Sequence, residues 1–415
     1  MKKYEVFSKQ IFQNVYLVER GKKKLLYAPF KKLAVRDGFM FNLFKKFIRF
    51  FPDLSPKPAI IPLPTTVTLD LTHGCPLGCV YCSVDSGRDT KIMEEDVGKT
   101  AIDVIVENAK NLGVKEIGVV FGGGGEPTLP FSLLQKLVVY TWKRSKKENL
   151  KPIILSATGG ILSSRQIKWL VENVTHIALS FDGSREVQNR QRPLRNGGES
   201  FEIVVKTAKL LGKLGADFSI RAAISNLNSD LTALVKFFSQ FHPKFLNFQP
   251  VVICGRCYKT GWRGVEPDKF IEEFIKAQKI SSQLRVPIIF PGTNIRRLIP
   301  EVCHAYNGTG FVVSSWGLVS ACERVLYPND SLADIFIYGK IEGRKLLIDE
   351  EKLKRLKKIR VEKIPYCVNC FARWHCQGGC LNEHLSQNKN RSFYSKRIHP
   401  MCYITRALVW YQLTY

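Results

Sequence analysis

Residues 66–84 read TVTLDLTHGCPLGCVYCSV: a short β-branched run, TVTLDLT, hands the chain to three cysteines, Cys75, Cys79 and Cys82. Strand-like runs of the same kind recur as EIGVVF (116–121), PIILSA (152–157), HIALSF (176–181), DFSIRAA (217–223) and FLNFQPV (245–251). Amphipathic helical patterns lie between and after them, the clearest being EEDVGKTAIDVIVENAKNLG, SLLQKLVVYTWKRSKK, SFEIVVKTAKLLGKLG, DLTALVKFFSQF and DKFIEEFIKAQKISSQL. Strand–helix alternation through six units implies a parallel sheet, because parallel neighbours need a crossover. Six units are too few for an eight-unit barrel, which leaves a partial barrel or an open sheet. In both, ligands gather at the carboxyl ends of the strands, where the three cysteines stand.

The chain has 415 residues, 45% apolar and 24% charged, which suits an ordinary globular protein of two domains with a short extra element. Twelve cysteines in C-x2-C and C-x3-C spacings favour metal sites in a reducing compartment over a secreted disulfide scaffold. The N-terminus lacks the apolar run of a signal peptide and no stretch of eighteen apolar residues occurs, so a cytoplasmic location is expected. A net charge of +27 points to an anionic partner or surface.

Residues 1–60 form a basic extension, with fourteen Lys and Arg against four Asp and Glu. NVYLVERGKKKLLYAP reads as a hairpin and FMFNLFKKFIRFF as a short basic amphipathic helix; a cap on the barrel is the plain reading and peripheral membrane contact the sharper one. Residues 61–290 hold the repeated units. Residues 291–415 lose the periodicity and carry Cys303, Cys322, Cys367, Cys370, Cys376, Cys380 and Cys402, as in a small domain held by metal rather than by a core.

A tetrahedral zinc site or a fully ligated iron–sulfur cube needs four ligands, and the first cysteine stretch offers three. A zinc knuckle completed by His73 is one reading; a cube with one open iron is the other. Cys75, Cys79 and Cys82, with Tyr81 before the last cysteine, resemble the signature of the radical S-adenosylmethionine (SAM) enzymes. The resemblance implies a partial (β/α)6 TIM-like barrel and a [4Fe-4S] cluster whose open iron is chelated by SAM. Reductive cleavage of SAM then yields a 5′-deoxyadenosyl radical that abstracts a substrate hydrogen. VVFGGGGEPTLP, one strand later, reads plainly as a flexible turn; by the resemblance Gly124, Gly125, Glu126 and Pro127 match the GGEP segment that contacts the methionyl amino group. ALSFDGSREVQNRQRP is similar to a stretch of peptide-modifying members, which makes Ser180 and Asp182 candidates near the SAM ribose or carboxylate, with Arg192 beside them.

Gly317-x4-Cys322 and Cys367-x2-Cys370-x5-Cys376-x3-Cys380, followed by Cys402, resemble the SPASM domain, which holds two auxiliary clusters in enzymes acting mainly on peptides and proteins. By that resemblance Cys367, Cys370, Cys376 and Cys402 hold a distal cluster, while Cys303, Cys322 and Cys380 hold a nearer one that is a ligand short. Either Cys254 or Cys257 reaches back, or an open iron faces substrate. Auxiliary clusters accept the electron of a substrate radical, and a base takes its proton. Sulfatase-maturing relatives have an aspartate after the cysteine matched by Cys322, where this chain has Glu323. The expected function is oxidative modification of a peptide or protein, such as a ribosomally made precursor with an acidic leader, served by a ferredoxin or flavodoxin. Formylglycine formation in a sulfatase is the alternative within the class. A zinc-stabilised nucleic-acid-binding protein lacks a reading helix or aromatic sheet signature, and a pure electron-transfer protein has no use for GGEP, so no specific nucleic acid is expected.

Overall fold

The structure, a computed structural model, describes residues 3–299, 303–386 and 400–415. The chain opens with an antiparallel sheet of β1 (Phe7–Phe12), β2 (Val15–Arg20), β3 (Lys23–Ala28) and β4 (Leu33–Arg36) in that order, followed by helix α1 (Phe41–Phe47). The hairpin of β2 and β3 turns at Gly21, whose positive φ suits a tight reversal.

Six parallel strands then come in chain order: β5 (Thr66–Leu69), β6 (Glu116–Phe121), β7 (Lys151–Thr158), β8 (His176–Ser180), β9 (Phe218–Ile224) and β10 (Phe245–Pro250). The crossovers are helices α2 (Glu95–Leu112), α3 (Phe131–Lys147), α4 (Ser164–Asn173), the pair α5 (Arg185–Gln191) and α6 (Phe201–Lys213), and α7 (Leu231–Ser239). After β10 come the short α8 (Cys257–Thr260) and then α9 (Pro267–Leu284). Alternation along each strand sets its two faces. Ile117, Val119 and Phe121 of β6, or Phe218, Ile220 and Ala222 of β9, are buried among these elements. The alternate positions, such as Ser180, Arg221 and Gln249, turn to the other face of the sheet, where they are half-buried or exposed.

The sheet does not close. On one edge β11 (Ile288–Ile289) pairs parallel with β10. On the other, β12 (Val312–Val313) pairs parallel with β5, and β13 (Leu318–Ser320), β14 (Ile337–Glu342) and β15 (Lys345–Ile348) continue antiparallel to an eleven-stranded sheet. This differs from the expected cysteine-rich domain held by metal alone. The exposed donors of β5 need partners, and Thr68 and Asp70 donate their N–H groups to the Phe311 and Val313 carbonyls at 3.0 and 2.9 Å. Phe311, Val313, Val319, Phe336 and Ile341 thereby join the main hydrophobic core.

Helices α10 (Ala333–Phe336), α11 (Glu350–Lys357), α12 (Pro365–Val368), α13 (Arg373–Cys376), α14 (Leu381–Ser386) and α15 (Pro400–Thr414) complete the C-terminal part. The N-terminal sheet packs on this part rather than on the six-stranded barrel: Val6, Tyr16, Val18, Leu25 and Tyr27 form one core with Phe371, Ala372, Val409 and Trp410.

Candidate functional site

Beyond β5 the chain turns sharply through the cysteine loop, which is pinned on all sides. Gly78 and Val80 donate backbone N–H groups to the carbonyls of Pro193 and Gln191 at 2.7 and 3.0 Å. Arg195 donates to the Cys75 carbonyl at 2.9 Å. From the other flank Arg256 reaches the carbonyls of Cys79 and Ser86 at 2.8 and 2.6 Å and pairs with Asp85 at 2.8 Å. Thr260 adds a bond to the Val80 carbonyl at 2.8 Å, so α8 and the turn before it form a strap across the loop.

Cys75, Cys79 and Cys82 are electrostatic neighbours, the Cys82 charge raising the pKa of both Cys75 and Cys79. Burial first, and then this repulsion among other charges, pushes Cys75 up to about 11 and Cys79 up to about 12. The Ser86 N–H donates to Cys82 Sγ at 3.3 Å and Arg192 Nη1 approaches Cys79 Sγ at 3.7 Å, donors that favour thiolate over thiol. The donor set therefore fits an iron–sulfur cluster: three soft ligands, ready-made donors to sulfur, and protons to release on metal binding.

The GGEP loop lies against the start of the cysteine loop with no room for side chains. A Cβ on Gly124 would stand 2.5 Å from the His73 ring and 2.6 Å from Asp70 Oδ1, and one on Gly125 would stand 2.1 Å from the Gly74 carbonyl oxygen. Asp70 Oδ1 accepts the N–H groups of Gly124 and Gly125 at 3.2 and 3.3 Å, while its Oδ2 is buried without a partner. Burial raises Asp70 to about 7 and lowers His73 to about 4. His73 is fully buried, with both ring nitrogens lacking hydrogen-bond partners.

Two carboxylates of the expected set are held by partners within the protein. Glu126, expected at an ammonium group, is 3% exposed and turns into the protein: it accepts from the Thr128 hydroxyl at 2.6 Å and the Gly159 N–H at 2.7 Å. It braces the loop, with buried Pro127 next to it. Asp182, expected near the ribose or carboxylate, has no exposed surface. Its oxygens accept from the Tyr81 hydroxyl, from Gln191 Nε2 at 2.9 Å and from the Ala223 N–H at 2.9 Å, and it pairs with Arg192 Nε at 3.0 Å. Through these contacts Asp182 ties α5 and β9 to the cysteine loop. Ser180 is half-buried at the end of β8, opposite Arg221 in the ladder.

Glu323 is exposed and accepts from Thr68 Oγ1 at 3.3 Å, with the Arg221 guanidinium as its electrostatic neighbour. Arg221 donates to Gln249 at 3.0 Å. The remaining cysteines fall into two groups. Cys367, Cys370, Cys376 and Cys402 line one cavity, together with Arg373 and Arg406. Cys303, Cys322 and Cys380 are electrostatic neighbours beside the Arg324–Glu383 ion pair of 2.9 Å, with Cys322 pushed up to about 12 chiefly by burial. Cys254 and Cys257 both direct their thiols at the Val252 carbonyl, at 3.3 and 3.7 Å, on the strap over the cysteine loop. Among the described residues no three His, Cys, Asp or Glu side chains converge on a single metal ion.

Residues 69–230 match the radical SAM superfamily. These residues form a radical SAM domain. That membership implies a [4Fe-4S] cluster and SAM. The cysteine-type anaerobic sulfatase-maturating enzyme of Clostridium perfringens is 27% identical over 336 residues, covering 74% of this chain and 86% of that protein. The solved structure of native anSMEcpe with bound AdoMet and Kp18Cys peptide superposes with a TM-score of 0.66 at 21% identity, covering 84% of this chain and 98% of that one. Streptococcus suis SuiB bound to precursor peptide SuiA superposes with a TM-score of 0.57 at 13% identity, covering 95% and 99%. Both likenesses show a shared fold.

Asp70, Arg195, Arg256 and Gln191 were not singled out by sequence reasoning. Asp70 carried a signal, a charge inside a strand otherwise apolar or β-branched. The other three carried none, since their roles arise from elements far apart in the chain.

Proposed function

We propose that this radical SAM enzyme oxidatively modifies a side chain or backbone position of a peptide or protein, of the ribosomally made precursor type. The observation that carries the reading is the cavity lined by Cys367, Cys370, Cys376 and Cys402, together with the second group at Cys303, Cys322 and Cys380. An enzyme that only initiates radicals has no use for seven further thiols; one that must remove an electron from its substrate does.

When bound, the cluster and SAM supply a 5′-deoxyadenosyl radical. Cys75, Cys79 and Cys82 hold the cluster, and the side-chain-free wall of Gly124 and Gly125 admits the methionyl end of SAM. Tyr81, Asp182 and Arg192 keep the cysteine loop in place. Ser180 and Arg221 shape the sheet face where substrate lies, and Glu323 takes the proton that leaves the oxidised position. Cys367, Cys370, Cys376 and Cys402 hold one auxiliary cluster, and Cys303, Cys322 and Cys380 a second, in the part we assign to residues 291–415, beyond the radical SAM core of 61–290 and the extension of 1–60. An acidic ferredoxin or flavodoxin suits the net charge of +27, and twelve free thiols suit the reducing cytoplasm. Formylglycine formation in a sulfatase is the second reading, favoured by the 27% identity to the Clostridium perfringens enzyme.

The test is anaerobic reconstitution with iron and sulfide, reduction, and mass spectrometry for 5′-deoxyadenosine with and without a sulfatase peptide and peptides encoded beside the gene. Cys79→Ala abolishes SAM cleavage, whereas Cys370→Ala keeps some cleavage and loses product. Equal cleavage in both variants contradicts the division of roles.

A further inference from the structure

Helix α1 is apolar around more of its circumference than the protein covers. Phe41, Phe44 and Ile48, spaced as one helical stripe, pack on the N-terminal sheet against Val15, Leu26 and Ala28. A second stripe, Met40, Leu43, Phe47 and Phe50, faces solvent. Phe50 is 67% exposed and Phe39, at the tip of the preceding turn, 98%. Phe51 and Leu54 extend the patch. Monomeric proteins rarely leave so many large apolar side chains together in water without a use for them. Residues 38–52 contain Lys45, Lys46 and Arg49 and no Asp or Glu, and the Arg49 guanidinium lies 4.7 Å from the Phe50 ring centre.

We propose that α1 and its flanking turns are a docking face for an anionic lipid surface, on which the rings enter the headgroup region and the cations meet phosphate. Three features favour lipid over other occupants. The space beside Phe39 is open: no heavy atom lies within 4 Å of where a Cβ on Gly38 would stand, and Phe39 itself is 98% exposed. A second copy of the chain would bring the same cations and be repelled. The exposed apolar residues are mostly phenylalanines, amphipathic-helix anchors that suit an interface, while no helix among the described residues is long and apolar enough to cross a membrane.

The full-length protein is floated with phosphatidylcholine vesicles with and without phosphatidylglycerol. Wild type rises only with phosphatidylglycerol present. Phe39→Ser/Phe50→Ser, which leaves the charge unchanged, lowers the partition by about tenfold or more, and Lys45→Gln/Lys46→Gln/Arg49→Gln lowers it as well. In Phe47→Trp the indole emission moves to the blue on vesicle addition. Thermal unfolding by circular dichroism is unchanged in every variant, since all these side chains point outward. Flotation that the serine variant does not weaken would mean attraction by net charge alone and overturns the proposal. So do the absence of flotation, an unmoved indole emission, and a dimer on size-exclusion chromatography that the serine variant makes monomeric. Binding of an acidic peptide through this face without any vesicle binding would assign it to a peptide instead.

Discussion

Asp182→Ala removes the carboxylate on which Tyr81, Gln191, the Ala223 N–H and Arg192 converge. The Arg192 side chain is 11% exposed and that of Asp182 not at all, so the guanidinium left behind cannot turn to water. Opposite charges about 4 Å apart in an effective dielectric near 20 attract by about 4 kcal/mol. Leaving one member of a buried pair uncompensated costs about 3–5 kcal/mol, lost hydrogen bonds included. Equilibrium urea unfolding of the metal-free protein should show a loss of that size, and iron bound per chain after anaerobic reconstitution should fall as the cysteine loop loosens. Asp182→Asn/Arg192→Gln leaves no stranded charge and should recover roughly 2 kcal/mol relative to the sum of its single variants. A loss under about 1 kcal/mol for Asp182→Ala, or strict additivity in the double variant, would refute the positioning role.

Gly125→Ala places a Cβ 2.1 Å from a backbone oxygen, so the loop must shift. SAM affinity by equilibrium dialysis should fall about tenfold or more while iron content is kept. Glu323→Gln should slow substrate oxidation by roughly 10²–10⁴-fold while 5′-deoxyadenosine still forms, as read by mass spectrometry. Asp70, raised by burial from 3.8 to about 7, keeps in the folded state a proton that the unfolded chain has lost. Its contribution to stability is therefore fully present below 3.8 and is lost as pH rises through about 7. Asp70→Asn, which keeps the acceptor for Gly124 and Gly125, should flatten that part of the stability profile measured by urea unfolding.

The six parallel strands are legible because each is a β-branched or aromatic run bounded by turn residues and followed by an amphipathic pattern. Strands β12 and β13 are not: VV and LVS are too short to show alternation, and they form only because β5 offers an unpaired edge. Helix α15 escapes for the opposite reason. Tyr403, Ile404, Ala407, Leu408, Val409 and Trp410 are buried around most of its circumference, so the sequence shows no polar stripe. Spacing alone brings Cys75, Cys79 and Cys82 together, because a loop of eight residues keeps its own members close. The grouping of Cys402 with Cys367, Cys370 and Cys376 was legible only through a family resemblance. The inward turn of Asp182 and Glu126 was legible through neither. Their partners Tyr81, Ala223 and Gly159 come from separate elements, and an Asp-Gly or a Gly-Glu-Pro reads the same whether its carboxylate faces ligand or protein.

The pairing of β12 with β5 has an evolutionary corollary. Backbone ladder bonds, rather than side-chain fit, set the spacing between the Cys75 loop and Cys322, which lies two residues beyond the end of β13. Extra residues in the connection before Phe311 are spliced in harmlessly, since both thiol groups stay anchored to the ladder. One residue added between Leu318 and Ser320 is another matter: it slides the strand by about 3.3 Å and turns every later side chain to the opposite face, pointing Glu323 away from Thr68. Lineages of this enzyme can thus lengthen their loops freely but must keep the frame of those three residues.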